Sequence, residues 1–257
     1  MKGKWIFDLA AQIMKGGIRL SEGIGFVQAR LAAKPTEFSL QGLHFENVDH
    51  ILWSIVAEIF ISREYSPSGF EINPQDIVVD IGAHKGAFTA YAASRTQNSI
   101  LAFEPDPTNF AALQNLVERH GWDHVTARNF AISGKSGPVD LYLADSSSRN
   151  TITGKDQLTQ KMLVDSLSIP ALSLSEALGD IPQIDLVKMD CEGAEFSILA
   201  NADQATLTKI NRLVLEYHAA ENSELLQSLL KKLGEHFTQV TSKHRSRAKL
   251  GYIFACR

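Results

Sequence analysis

Hydrophobic positions change their period along the chain. Before about residue 73 they recur every three or four residues in two stretches, Lys4 to Met14 and about Asp49 to Arg63, which predicts two amphipathic helices. In the second, Ile51, Leu52, Ile55, Val56, Ile59 and Phe60 form the buried face, while His50, Ser54 and Glu58 line the other side. Between them lie glycines, Pro35 and a strand predicted near Glu37 to Leu43. Residues 1–73 therefore read as an N-terminal helical cap, with an oligomer interface as the alternative use of the same faces.

From Pro74 onward short apolar runs alternate with helical ones, the signature of an α/β domain over residues 74–257 with a mainly parallel sheet and right-handed crossovers. The predicted strands are Asp76 to Asp80, Ser99 to Phe103, Val125 to Ile132, Val139 to Leu143, Ile184 to Met189, Arg212 to Leu215, Phe237 to Ser242 and Leu250 to Cys256. Helices are predicted over Ala87 to Ser94, from the Asp106 cap and Pro107 to Gly121, over Ala194 to Ala200, and from Ser223 to Leu233 with Gly234 as its stop. The last two strands, joined by a short connection, must be antiparallel. The polar stretch Asp145 to Gln160 is long for an ordinary connection and is a candidate substrate loop.

Chemistry concentrates where these strands end. The first closes on Asp80 and breaks into a turn with Gly82 and Gly86; the second ends on Glu104, about 20 residues downstream, the offset of a ribose-binding acid. The G-x-G-x-x-G turn that admits a pyrophosphate is missing, and a carboxylate at Asp80 would repel one. S-adenosylmethionine carries no phosphate but an ammonium and a sulfonium, so it suits this strand end better than NAD does. Composition is compatible: 257 residues with 44% hydrophobic content are enough for one substantial core and an appendage. A net charge of -4 argues against a general nucleic-acid binder. Two cysteines, Cys191 and Cys256, suit a reducing compartment, and no apolar run approaches the ~20 residues that span a bilayer, so a cytoplasmic location is the expectation. Gly134-Lys135-Ser136 resembles the end of a phosphate-binding loop, but Asn129 stands where its first glycine belongs.

Taken together, Val79-Asp80-Ile81-Gly82-Ala83, Phe103-Glu104-Pro105, Ala131-Ile132-Ser133, the block Lys188-Met189-Asp190-Cys191-Glu192-Gly193-Ala194-Glu195, and Leu215-Glu216-Tyr217-His218 resemble the FkbM family of S-adenosylmethionine-dependent methyltransferases. The Lys-x-Asp-x-Glu-Gly-x-Glu block is the most specific of these. The family commonly has Asn where His84 stands and an apolar residue where Lys85 stands. The resemblance implies a Rossmann-like class I methyltransferase fold, a mainly parallel seven-stranded sheet with one antiparallel strand. It also implies methyl transfer, usually to oxygen, on natural-product or sugar-type acceptors. Carried onto this chain, it places Asp80, Gly82, Ala83 and Gly86 around the methionine and ribose, Glu104 on the ribose hydroxyls, Asn129 and Ala131 near the adenine, and Asp190 and Glu192 at the methionine and acceptor end.

The acceptor's hydroxyl must lose its proton as the methyl arrives. His218 is the first candidate base because its ordinary pKa lies near working pH, with Glu216, Glu192 and Asp190 as alternatives. Asp190, Glu216 and His218 could instead share a divalent cation, but they lack a tight ligand spacing, and no metal is assigned. The position after Asp190 has neither proline nor an aromatic residue, which disfavours methylation of a base amino group. A basic run, Lys243, His244, Arg245, Arg247 and Lys249, falls at the ligand-binding end of its strand and would suit an anionic acceptor. The reading is thus an O-methyltransferase acting on a small-molecule or glycan-type hydroxyl, with a non-catalytic cofactor-binding subunit as the alternative.

Overall fold

The computed structural model describes residues 4–153, 163–245 and 250–257. Ahead of the α/β domain come α1 (Lys4–Met14), α2 (Leu20–Leu31), a hairpin of β1 (Thr36–Leu40) and β2 (Leu43–Val48), and α3 (His50–Val56), which runs on as one π turn over Ala57–Ile61. Helix α2 and strand β2 have no counterpart in the periodicity. The glycines that argue against α2 have a packing role: a Cβ on Gly23 would come within 2.7 Å of Ile13 Cδ1, so the residue lets α1 approach. The helix is started by Glu22, whose carboxylate accepts from the Arg19 amide at 3.0 Å. The strand predicted over Glu37 to Leu43 is cut by Gln41 and Gly42, both with positive φ (52° and 80°), the requirement of a two-residue hairpin turn.

The domain proper contains β3 (Val78–Ile81), α4 (Ala87–Ala93), β4 (Ile100–Phe103), α5 (Pro107–His120), β5 (Val125–Arg128), β6 (Ala131–Ser133), β7 (Gly137–Ala144), β8 (Leu163–Ser173), α6 (Leu174–Leu178), β9 (Leu186–Met189), α7 (Glu195–Asn201), α8 (Gln204–Thr208), β10 (Arg212–Tyr217), α9 (Glu224–His236), β11 (Gln239–His244) and β12 (Gly251–Cys256). Seven of these strands form one sheet in the order β11-β12-β10-β9-β3-β4-β5, and only β12 runs against its neighbours. Strands β3, β4 and β9 are buried along their whole length, as a parallel sheet covered on both faces requires. This is the Rossmann-like sheet that the strand pattern predicts.

Two boundaries differ from the pattern. The strand predicted over Val125 to Ile132 divides at Asn129 and Phe130, and its second half, β6, joins a separate sheet in the order β6-β8-β7. Helix α9 passes through Gly234 and ends at Phe237, because Gly234 keeps a helical backbone and never takes the positive φ that makes glycine a stop.

The cap and the sheet share one core. Leu9, Phe26, Phe45 and Phe60 from the cap belong to the same cluster as Val78, Phe88, Tyr91 and Tyr252. Edge-to-face aromatic contacts link the two parts, Phe45 to Phe60 at 5.7 Å and Phe60 to Tyr91 at 5.2 Å between ring centres. With each fully buried Phe worth about 1.5–3 kcal/mol, this packing fixes whatever the cap contributes to the cavity below.

Candidate functional site

A cavity of about 470 Å³ opens at the C-terminal ends of β3, β4, β9 and β10, where an open parallel sheet binds its ligands. The strand ends supply Gly82, Ala83, Glu104, Asp190 and Glu216, the cap supplies Glu58 and Tyr65, and the loop after β7 supplies Ser147 and Arg149. Gly82 holds the floor open: it has φ +77°, and a Cβ there would lie 1.8 Å from the Asp190 carbonyl oxygen. Gly86, expected beside the cofactor, instead packs under α4 against Leu113 and Leu116 and does not line the cavity.

Asp80 also stands elsewhere than expected. It is fully buried, accepts from the Thr89 hydroxyl at 2.7 Å and pairs with Lys188 Nζ at 3.2 Å, so its carboxylate faces a protein cation and not the cavity. Lys188 sits directly opposite Asp80 in the β3–β9 register and donates to the Gly82 carbonyl at 2.8 Å. Burial alone would lower the Lys188 pKa, but Asp80 and then Asp190 hold it above the ordinary lysine value. The pair locks the first turn of the cavity to the strand that carries Asp190.

Glu104 lies on the other side of Gly82. Its Oε2 accepts from the His84 amide at 2.7 Å and its Oε1 from the Asp106 amide at 3.0 Å, while burial pushes its pKa up to about 7. Oε1 also accepts from Asn109 Nδ2 at 3.4 Å, so Oε2 is the oxygen that keeps a lone pair for a ligand. Asn129 supports this acid from behind by donating to the Glu104 and Pro105 carbonyls at 2.8 and 3.0 Å; it does not line the cavity, whereas Ala131 does. His84, with φ +51°, occupies the left-handed conformation that Asn and His tolerate, and its Nε2 lies 2.9 Å from the Ser147 hydroxyl. Lys85 reaches Asp49 at 2.8 Å, and Asp49 caps α3, so both departures from the family pattern have partners in this chain.

The far end of the cavity is acidic. Tyr65 places its hydroxyl 2.9 Å from Asp190 Oδ2 and 2.8 Å from Glu216 Oε2. One phenol proton cannot serve two carboxylates. Burial, reinforced by Asp190, pushes the Glu216 pKa up to about 8, so at neutral pH Glu216 carries the second proton and donates to Tyr65, which donates to Asp190. Behind them His218 lies 3.4 Å from Glu192 and 3.6 Å from Glu195. Burial alone would lower its pKa, but Glu195, Glu192 and Asp190 push it up to about 10. His218 is therefore an imidazolium at neutral pH and does not line the cavity, which removes it from first place as a base. Asp190, Glu192 and His218 have ligand atoms within 4.8 Å of one another, a different trio from Asp190, Glu216 and His218, because Glu216 is turned to Tyr65.

The Lys-x-Asp-x-Glu-Gly-x-Glu block thus has a physical reason at every fixed position. Lys188 pairs with Asp80, Asp190 and Glu192 face the cavity, and Glu195 accepts from the Cys191 and Gly193 amides at 2.7 and 2.9 Å, which shapes the turn between them. Tyr65, Glu58 and Thr89 carry no motif and are missed by sequence reasoning, because Tyr65 meets Asp190 and Glu216 only across 125 and 151 positions of chain. Arg245 of the basic run is bound to Glu64 and Tyr252 and lies 3.5 Å from Glu58, so it ties the sheet to the cap and is not free for an acceptor. Arg247 and Lys249 lie outside the described residues, as does the part of the candidate loop beyond residue 153.

A Rossmann-like sheet with its last strand reversed, and an acid-lined cavity at its strand ends, defines the class I methyltransferases. The match to the methyltransferase FkbM domain over residues 80–251 makes the chain a member of that family, and so an enzyme of methyl transfer. It is 29% identical over 178 residues to Methyltransferase 1 of Beauveria bassiana, covering 62% of this chain and 70% of that protein. It is 26% identical over 196 residues to the 31-O-demethyl-FK506 methyltransferase FkbM of Streptomyces tacrolimicus (65% and 74%). It is also 26% identical over 175 residues to the hexuronic acid methyltransferase AglP of Haloferax volcanii (68% and 69%). Among solved structures, the methyltransferase FkbM from Methylobacillus flagellatus superposes with a TM-score of 0.49 at 17% identity, covering 96% of this chain and 60% of that one. Among the described residues no helix is long and apolar enough to cross a membrane.

Proposed function

We propose that the cavity binds S-adenosylmethionine together with an alcohol, and that the enzyme methylates a hydroxyl of a small-molecule or glycan-type acceptor. The carrying observation is the sorting of the cavity wall. One end offers the Glu104 carboxylate among Phe130, Ala131, Ile132 and Leu141, a setting for a ribose and a flat base; the other gathers Glu58, Asp190, Glu192 and Glu216, a setting for a cation. The cofactor supplies an activated methyl group on a positively charged sulfur. Two of the relatives, the 31-O-demethyl-FK506 methyltransferase and the hexuronic acid methyltransferase, favour oxygen as the acceptor atom. Arg149, which lines the cavity and pairs at 3.1 Å with the exposed Asp145, a pair that an acceptor's anion can displace, replaces Arg245 as the cation facing an anionic acceptor.

In this reading Glu104, Gly82 and Ala83 hold the nucleoside, Asp190 and Glu192 orient the methionine end, and the Asp190–Tyr65–Glu216 array receives the acceptor's proton. Most of the acceleration comes from aligning the two reactants and excluding water. Calorimetric titration with S-adenosylmethionine and NAD tests the cofactor directly, with binding expected for the first alone. Glu104→Gln should weaken that binding about 10- to 100-fold, the worth of hydrogen bonds to a charged group. An unchanged affinity would remove Glu104 from the site.

The metal question has its own expected result. His218 already brings a positive charge to Glu192 and Asp190, and an imidazolium has no lone pair for a ligand bond. Turnover should therefore survive exhaustive chelation. Loss of activity with EDTA, restored by magnesium or manganese, would instead mean that a cation displaces the His218 proton and assists deprotonation.

A further inference from the structure

Six of the nine large hydrophobic side chains exposed among the described residues lie on α1 and α2: Ile6, Phe7, Met14, Leu20, Ile24 and Leu31. Both helices have already committed an apolar face to the core, through Leu9 of α1 and through Phe26 and Ala29 of α2. The exposed side chains make a second apolar face on each. At 100° per residue Phe7 and Met14 project together, about 140–160° round α1 from Leu9, while Ile6 lies on the flank between them and the core. Leu20, Ile24 and Leu31, spaced by four and seven, form one stripe along α2. Their exposure is large, 77% for Phe7, 82% for Met14 and 79% for Leu31, so neither stripe is covered by the described residues.

Charge says what covers them. The first 34 residues hold six Lys or Arg and two acidic residues, in a chain whose net charge is -4. Both acids are occupied within the cap, Glu22 by Arg19 at 2.8 Å and Asp8 by Lys4 at 3.8 Å. Arg30 lies over the Trp53 ring, whereas Lys15 and Lys34 are exposed and make no ion pair with a described residue. A two-fold pairing of this face with a second copy would bring like charges together, since the same patch meets itself. An anionic lipid surface opposes the basic residues instead, and a fluid acyl layer needs no complementary shape.

We infer that α1 and α2 form a docking surface for an anionic lipid bilayer, with Phe7, Met14, Ile24 and Leu31 entering the acyl boundary and Lys15 and Lys34 meeting the headgroups. The inference does not rest on the cofactor or acceptor. Co-sedimentation of the full chain with vesicles of phosphatidylcholine, with and without phosphatidylglycerol, tests it. Binding should favour the anionic vesicles on the order of 30-fold for two unpaired basic groups at low salt, and fall as salt is raised. Phe7→Ser with Ile24→Ser should abolish sedimentation without lowering the thermal midpoint, because neither side chain is buried. Lys15→Ser with Lys34→Ser should remove the preference for anionic lipid. Failure of the parent chain to sediment with either vesicle would overturn the inference. So would unchanged binding by the Phe7 and Ile24 variant, or a dimer by light scattering that the same variant dissociates.

Discussion

Lys188→Met is expected to destabilise the protein by about 3–5 kcal/mol, the cost of stranding one charge of a buried pair. Lys188 and Asp80 are both buried and face each other across adjacent parallel strands at 3.2 Å, with the Lys188 ammonium also donating to the Gly82 carbonyl. Methionine fills a similar volume but leaves Asp80 with the Thr89 hydroxyl alone. Asp80→Asn combined with Lys188→Met should recover part of the loss, since neither charge then remains, and the difference between single and double variants measures the coupling. Urea unfolding midpoints of the four proteins supply the numbers. If Lys188→Met costs less than about 1 kcal/mol, a typical neutral hydrogen bond, the pair is not what fixes the turn. The same variant should lose cofactor affinity, because Gly82 and Asp190 are held together through this lysine.

How much of this was legible beforehand depends on the range of the interaction. The sheet, the Asp106 cap, Gly82 and the acids at four strand ends are local signals, written in runs of a few residues. Asp80 was found for the right reason, a carboxylate at a strand tip, and given the wrong partner, because nothing in the local pattern says that Lys188 pairs with it 108 positions later. Tyr65 was invisible on the same ground: it reaches Asp190 and Glu216 only through the packing of the cap. His218 yields first place as the base for an electrostatic reason. An isolated histidine titrates near neutrality, but Glu195, Glu192 and Asp190, carried together by the turn between β9 and α7, push its pKa up to about 10 once folding brings that turn beside the end of β10. Gly23 and Gly234 show the converse, glycines read as breaks that the helices run straight through.

Glu216→Gln should lower kcat about 10²- to 10⁴-fold, the range for loss of a general base, while His218→Asn should cost less. The parent's rate is expected to rise with pH through about 8, where Glu216 gives up its proton, and this rise should be missing from the Gln variant. Stability should move the opposite way. The folded pKa of about 8 lies above the ordinary carboxyl value of 4.5, so between those limits the unfolded chain has released a proton that the native protein still holds. The unfolded state binds fewer protons there, and the parent's stability falls as pH rises from about 4.5 to 8, then levels off. A Gln cannot ionise and its amide N–H can donate to the Tyr65 oxygen as the neutral acid does, so the variant should gain thermal midpoint over the parent as pH rises through that window and show no gain below it. Burial of Glu216 in this state is a cost to the fold that the active site requires. Equal midpoints at pH 9, or a pH-rate rise that persists in Glu216→Gln and disappears in Glu192→Gln, would transfer the proton acceptor to Glu192, whose pKa burial also raises to about 8.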